Sequence, residues 1–121
     1  MRILIVDDLP FMRSIISDIV TESGHYVIGE AGDGIECLSR YKSLLPDLVL
    51  MDIIMPRMNG VEALKSLKKA YPDCRVIMCS SLSDQEKIIQ AIRFGAVDYI
   101  VKPFQRKRLI SAINRAGRGY E

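Results

Sequence analysis

Ile3-Leu4-Ile5-Val6-Asp7-Asp8 is the stretch on which the fold turns. A short, largely β-branched apolar run that stops abruptly at two acids is the pattern of a strand buried on both faces of a parallel sheet, with carboxylates at its C-terminal end. The same signature returns at Leu48-Val49-Leu50-Met51-Asp52, followed by a turn-rich stretch that ends at Asn59-Gly60. Between the two runs, Phe11, Ile15, Ile19 and Met12, Ile16, Val20 recur at helical spacing over residues 11–23. Pro10 stands near the start and Gly24 just past the end, predicting an amphipathic helix. Residues 26–30 read as a second strand. Asp33-Gly34 marks a turn before a helix through Cys37, Leu38 and Tyr41, which closes at Pro46. Further on, Val61, Leu64 and Leu67 mark a third helix, residues 75–79 a strand, and 84–94 a helix that Gly95 caps. Residues 99–101 form a last strand interrupted at Lys102-Pro103, and 107–115 a last helix with Leu109, Ile110 and Ile113 inward.

Five strand-helix pairs in strict alternation predict an α/β fold, a doubly wound five-stranded parallel sheet with five helices on both faces, because right-handed crossovers place them there. The 121 residues read as one domain over 1–121, without linker or low-complexity segment. With 49% hydrophobic and 26% charged residues, the composition argues for a packed core and against intrinsic disorder. Lys and Arg number 17 against 15 Asp and Glu, and a net charge of +2 is too small to make nucleic acid the default partner. Cys37, Cys74 and Cys79 are odd in number and form no C-x-x-C pair. They argue against a disulfide framework or zinc knuckle and read as buried small hydrophobes, so a cytoplasmic, reducing compartment is expected. No apolar run reaches the length of a signal segment or a membrane span, and no membrane insertion is expected.

In sheets of this kind ligands bind outside the carboxyl ends of the strands, where Asp7, Asp8, Asp52, Ser80 and Lys102 fall. Three carboxylates at one edge repel one another unless a cation compensates. An all-oxygen set with few protein ligands and no EF-hand spacing suits Mg²⁺ better than Ca²⁺. Lys102 adds an ammonium and Ser80 a hydroxyl, and metal, ammonium and hydroxyl together are what the oxygens of a phosphoryl group need. Asp52, on the central strand, is the carboxylate best placed to act as nucleophile toward phosphorus. Each residue alone has a plainer reading: Asp7-Asp8 as a helix N-cap, Ser80 as a loop hydroxyl, Lys102 as a solvated lysine beside a turn proline, Tyr99 as a core aromatic. Their joint occurrence at strand ends outweighs those readings. His25 follows Gly24 in a turn with no nucleophile for a partner and is assigned no chemistry.

Asp7-Asp8, Asp52, Ser80, Tyr99 and Lys102-Pro103-Phe104, in this order and spacing, resemble the receiver domain of two-component response regulators over essentially the whole chain. The resemblance implies a flavodoxin-like sheet of order 2-1-3-4-5, an order for which the receiver CheY is itself a standard example. It implies that Asp52 accepts the phosphoryl group, that Asp8 is the direct Mg²⁺ ligand, that Asp7 holds the ion through water, and that the backbone carbonyl of Ile54 completes the metal set. It implies too that Lys102 pairs with the phosphoryl group, that the bond before Pro103 is cis, and that Ser80 and Tyr99 form the switch pair acting on the surface of the fourth helix, last strand and last helix. The partners implied are a sensor histidine kinase and a downstream protein target, such as a flagellar motor switch protein or a phosphatase. The resemblance further implies a protein that modifies itself and turns over no external substrate, and so not an enzyme in the ordinary sense.

Ile77-Met78-Cys79-Ser80-Ser81 and the stretch from Phe94 through Lys102 to Gln105 are most similar to the single-domain chemotaxis (CheY-like) regulators. Receivers that dimerise ahead of winged-helix domains typically carry an arginine where Ala112 stands, and the chain stops right after the last helix. The alternative keeps the receiver as the regulatory half of a longer transcription factor or output enzyme. A flavin binder on this fold is disfavoured because Asp7-Asp8-Leu9-Pro10 would repel phosphate where an anion cradle is needed. Cations at Arg106, Lys107, Arg108, Arg115 and Arg118 read as a solvated face on the output side, suited to steering an acidic partner. Ile54 has no polar group to orient a water, which predicts slow self-hydrolysis of the phosphoryl group.

Overall fold

The computed structural model describes residues 1–118. Strands and helices alternate throughout: β1 Arg2–Val6, α1 Pro10–Glu22, β2 Tyr26–Ala31, α2 Gly34–Leu44, β3 Leu48–Met51, α3 Gly60–Ala70, β4 Val76–Ser80, α4 Gln85–Arg93, β5 Asp98–Val101 and α5 Arg106–Gly117. All strand pairs are parallel, in the order β2-β1-β3-β4-β5. The expected doubly wound α/β fold is present in full.

Side chains alternate between the two faces of the sheet, and this alternation divides the core. Leu4, Val6, Val49, Met51, Val76 and Met78 join one apolar cluster with α2, α3 and Ala91 of α4. Ile3, Ile5, Leu48, Leu50, Ile77 and Cys79 join another with α1 and α5. The three central strands are thus buried on both sides, which is why they read as unbroken apolar runs. Cys37, Cys74 and Cys79 are free and buried, as expected.

Three of the five helix starts are written in polar side chains. Asp33 caps α2 by accepting from Glu36 N, Asp84 caps α4, and Asn59 forms a reciprocal capping box with Glu62 at α3. α1 differs: its N-cap is Leu9, without a side-chain bond, and Asp7 Oδ1 instead accepts from Leu9 N at 2.9 Å. The acid pair is therefore not the N-cap of α1. Gly95, at φ +103°, follows α4 in the left-handed region that a side chain disfavours.

Ile110 is half-buried and packs against the cluster beneath α1 and α5, as expected, whereas Phe11, which shares its helical spacing with Ile15 and Ile19, is 74% exposed. β4 also runs through Ser80, one residue past its expected end.

Candidate phosphoacceptor site

Sheet register assembles the site. Val6 pairs with Met51 across β1 and β3, so the next residues, Asp7 and Asp52, emerge side by side. Ser80 pairs with Val101 across β4 and β5, and Lys102 N donates to Ser80 O at 2.8 Å. Residues far apart in sequence thus leave neighbouring strands at one edge. Asp7, Asp8 and Asp52 each bring a carboxylate oxygen to within 4.8 Å of the others. Asp7 and Asp52 are buried, whereas Asp8 is exposed.

Lys102 lies between the two buried acids, its Nζ 2.6 Å from Asp7 Oδ2 and 3.2 Å from Asp52 Oδ2. Burial opposes its charge, but the hydrogen bond to Asp7 and the charge of Asp52 outweigh burial and raise its pKa above the ordinary lysine value. The remaining oxygens of the buried acids are also held: Asp52 Oδ1 accepts from Ile53 N at 2.7 Å, and Asp7 Oδ1 from Leu9 N. The Lys102-Pro103 bond is cis, as the resemblance implied. Ile54, two residues after Asp52, is 55% exposed at the rim.

Ser80 and Tyr99 share a face of the sheet. Ser80 is fully buried, and its Oγ accepts from Leu82 N at 3.2 Å, while the Tyr99 hydroxyl donates to Leu82 O at 2.6 Å. Leu82 therefore links the two side chains by a backbone donor on one side and a backbone acceptor on the other. The Tyr99 ring is buried, and burial raises its phenol pKa, with the Ser80 hydroxyl pulling the other way. Its place in the structure is the inward one.

The donor set fits a divalent cation on three grounds. Every side-chain oxygen in the cluster belongs to a carboxylate, the choice of a hard ion. Three carboxylates against one ammonium leave a charge deficit of two at the edge. Asp8 faces solvent, so an ion there keeps water ligands, as Mg²⁺ prefers.

Neighbouring side chains contribute in ways that residue type does not announce. Arg13 Nη1 donates to the Asp7 carbonyl oxygen and its Nε to Glu30, while Arg57 pairs with the Asp33 carboxylate. The basic residues at the last helix are not one solvated face: Arg106 pairs with Glu22 on α1, and Arg108 with Asp98 and the Tyr99 carbonyl. His25 Nδ1 pairs with the Met1 amino group, a structural contact remote from the acids.

A parallel α/β sheet carrying acids, hydroxyl and lysine at one carboxyl edge defines a class, and comparison with known proteins agrees: the chain belongs to the response regulator receiver domain family, which matches residues 3–114. Within the family it is 48% identical over 117 residues to the chemotaxis protein CheY of Thermotoga maritima, covering 97% of this chain and 98% of that one. It is 50% identical over 114 residues to CheY of Bacillus subtilis, covering 94% and 95%. Among solved structures, CheY in a CheX-CheY-BeF3-Mg²⁺ complex from Borrelia burgdorferi superposes with a TM-score of 0.91. Identity there is 33%, covering 93% of this chain and 86% of that one. That relative was thus solved together with Mg²⁺, the ion the donor set here fits. Among the described residues, no helix is long and apolar enough to cross a membrane.

Proposed function

We propose that the chain is the cytoplasmic phosphoacceptor of a chemotaxis relay, receiving a phosphoryl group from a sensor histidine kinase on Asp52. The carrying observation is the Lys102 ammonium held between Asp7 and Asp52 with Asp8 beside them. An Asp52 carboxylate oxygen attacks phosphorus, the new O–P bond forms as the donor's N–P bond breaks, and the electron pair returns to the imidazole nitrogen. Asp8, Asp7, Asp52 and the Ile54 carbonyl would hold Mg²⁺, which when bound neutralises charge on the phosphoryl oxygens. Lys102, already placed against Asp52 Oδ2, would offer its ammonium to the same oxygens.

Ser80 is the hydroxyl that gains an acceptor when the group arrives. Its movement carries Leu82, and with it the carbonyl that Tyr99 binds, so the α4-β5-α5 surface changes and a target protein reads it. No external substrate is turned over. Incubation with acetyl phosphate and Mg²⁺, followed by mass spectrometry, tests the reading. An adduct of one phosphoryl group on Asp52, absent in Asp52→Ala and without Mg²⁺, is expected; a label indifferent to either change would refute it.

A further inference from the structure

Arg13 lies one turn into α1, and its side chain doubles back over the β1–α1 turn. Nη1 donates to the Asp7 carbonyl oxygen at 2.5 Å, and Nε donates to Glu30 Oε1, near the end of β2, at 3.0 Å. With this bond every polar group of Asp7 is engaged. Its N–H donates to Ala31 O at 3.0 Å, Oδ1 accepts from Leu9 N, and Oδ2 takes Lys102. The carbonyl that Arg13 grips belongs to the same planar unit as the Asp8 N–H, so holding one end sets the plane from which Asp8 departs. Asp8 is the exposed member of the acid cluster, and its approach to the other two acids depends on that backbone.

We propose that Arg13 is a positioning residue for the divalent-cation site: braced on Glu30, it fixes the 7–8 peptide plane and so aims the Asp8 carboxylate at the point that Asp7 and Asp52 face. This rests on the cation-site reading given above. Charge alone predicts the reverse, because a guanidinium near the site repels an incoming cation and its removal would tighten binding. Geometry and charge therefore differ in sign. The Arg13–Glu30 pair is partly solvated, with side-chain exposures of 20% and 47%, so its worth to overall stability is small.

The test is calorimetric titration of the full chain with MgCl₂ at constant ionic strength, in wild type, Arg13→Ala and Arg13→Lys. Partners that orient ligands typically govern metal affinity by about 10- to 100-fold, the weakening expected for Arg13→Ala. Arg13→Lys keeps the charge but cannot fork between a carbonyl and a carboxylate, and is expected a few-fold weaker than wild type. Equal or tighter binding in Arg13→Ala, or unchanged binding in Arg13→Lys, overturns the proposal. Should Arg13→Ala fail to fold, Arg13→Lys decides, since its charge is that of wild type. A purely structural role would lower the thermal midpoint and leave Mg²⁺ affinity of the folded protein untouched. A wild type that binds no Mg²⁺ would remove the cation-site reading itself, and this inference with it.

Discussion

Gly60→Ala tests how tightly the start of α3 is built against the backbone that follows β3. A methyl carbon at Gly60 would lie 2.0 Å from the Asp52 carbonyl oxygen and 2.9 Å from both Asp52 C and Ile53 Cα, where real contacts essentially never fall below 3.0 Å. All of these neighbours are backbone, and Gly60 N is itself bonded to Ile53 O at 2.8 Å, so no flexible side chain can yield. Relief requires the Asp52 peptide and α3 to separate by about 1 Å. Overpacking of this kind costs about 1–3 kcal/mol, and alanine returns at most about 1 kcal/mol in helix propensity. The net expectation is a loss of about 1–2 kcal/mol, read as a fall on the order of 1 M in the urea midpoint. The same displacement carries the Asp52 carboxylate, anchored through Ile53 N, away from Lys102. Misplacement by about 1 Å costs on the order of 100-fold in rate, so labelling by acetyl phosphate should slow by that factor in the folded variant. A variant with wild-type midpoint and wild-type labelling rate would refute the packing argument.

Further outcomes follow from individual contacts. The Asp33 pKa is held below the ordinary aspartate value, first by the Glu36 N–H and against burial, with Arg57 adding to the effect. A depressed carboxylate stabilises above its unfolded pKa and loses that contribution as pH falls through the folded value. Asp33→Asn, which still caps, should therefore cost about 1 kcal/mol at pH 7 in urea melts and progressively less once pH drops below the unfolded value; a constant difference down to pH 3 would contradict it. Mg²⁺ at about ten times its dissociation constant should stabilise wild type by about 1.4 kcal/mol, an increment that disappears with EDTA and in Asp8→Ala. Ile54→Asn should speed loss of the phosphoryl group by offering a polar group to an attacking water, as measured by loss of the mass adduct with time; an unchanged or slower rate would count against it.

Residue type and period sufficed for the strands because β1, β3 and β4 are apolar on both faces and each ends in or just before a polar group that the site uses. What sequence reading lacked was adjacency. Asp7 and Asp52 are neighbours only because β3 pairs with β1, an order that came from the family resemblance and not from spacing. Phe11 is exposed although it shares the spacing of Ile15 and Ile19, because helical period says which residues share a face, not which of them another element covers. Arg13, Arg57 and Arg108 were invisible as specific partners. A long side chain reaches backbone carbonyls and carboxylates on other elements, and nothing in its own neighbourhood distinguishes such an arginine from a solvated one.

The path from Ser80 to Tyr99 limits how strong the proposed switch can be. Its links are the Leu82 N–H to Ser80 Oγ and the Tyr99 hydroxyl to Leu82 O, at 3.2 and 2.6 Å. Each is a neutral hydrogen bond with a net worth of about 1 kcal/mol, and links in series transmit no more than the weaker of them, so the path can bias the surface by about 1 kcal/mol, roughly a 5-fold change in population. A larger phosphorylation-dependent gain in target affinity would require contacts outside this path. Tyr99→Phe cuts the second link and leaves the ring to fill its buried place. Loss of about 1 kcal/mol of local stability should quicken amide exchange across residues 81–85 by about 5-fold. Exchange there indistinguishable from wild type would mean that the hydroxyl does not hold the β4–α4 loop, and that a phosphoryl group pulling on Ser80 has no such route to the output surface.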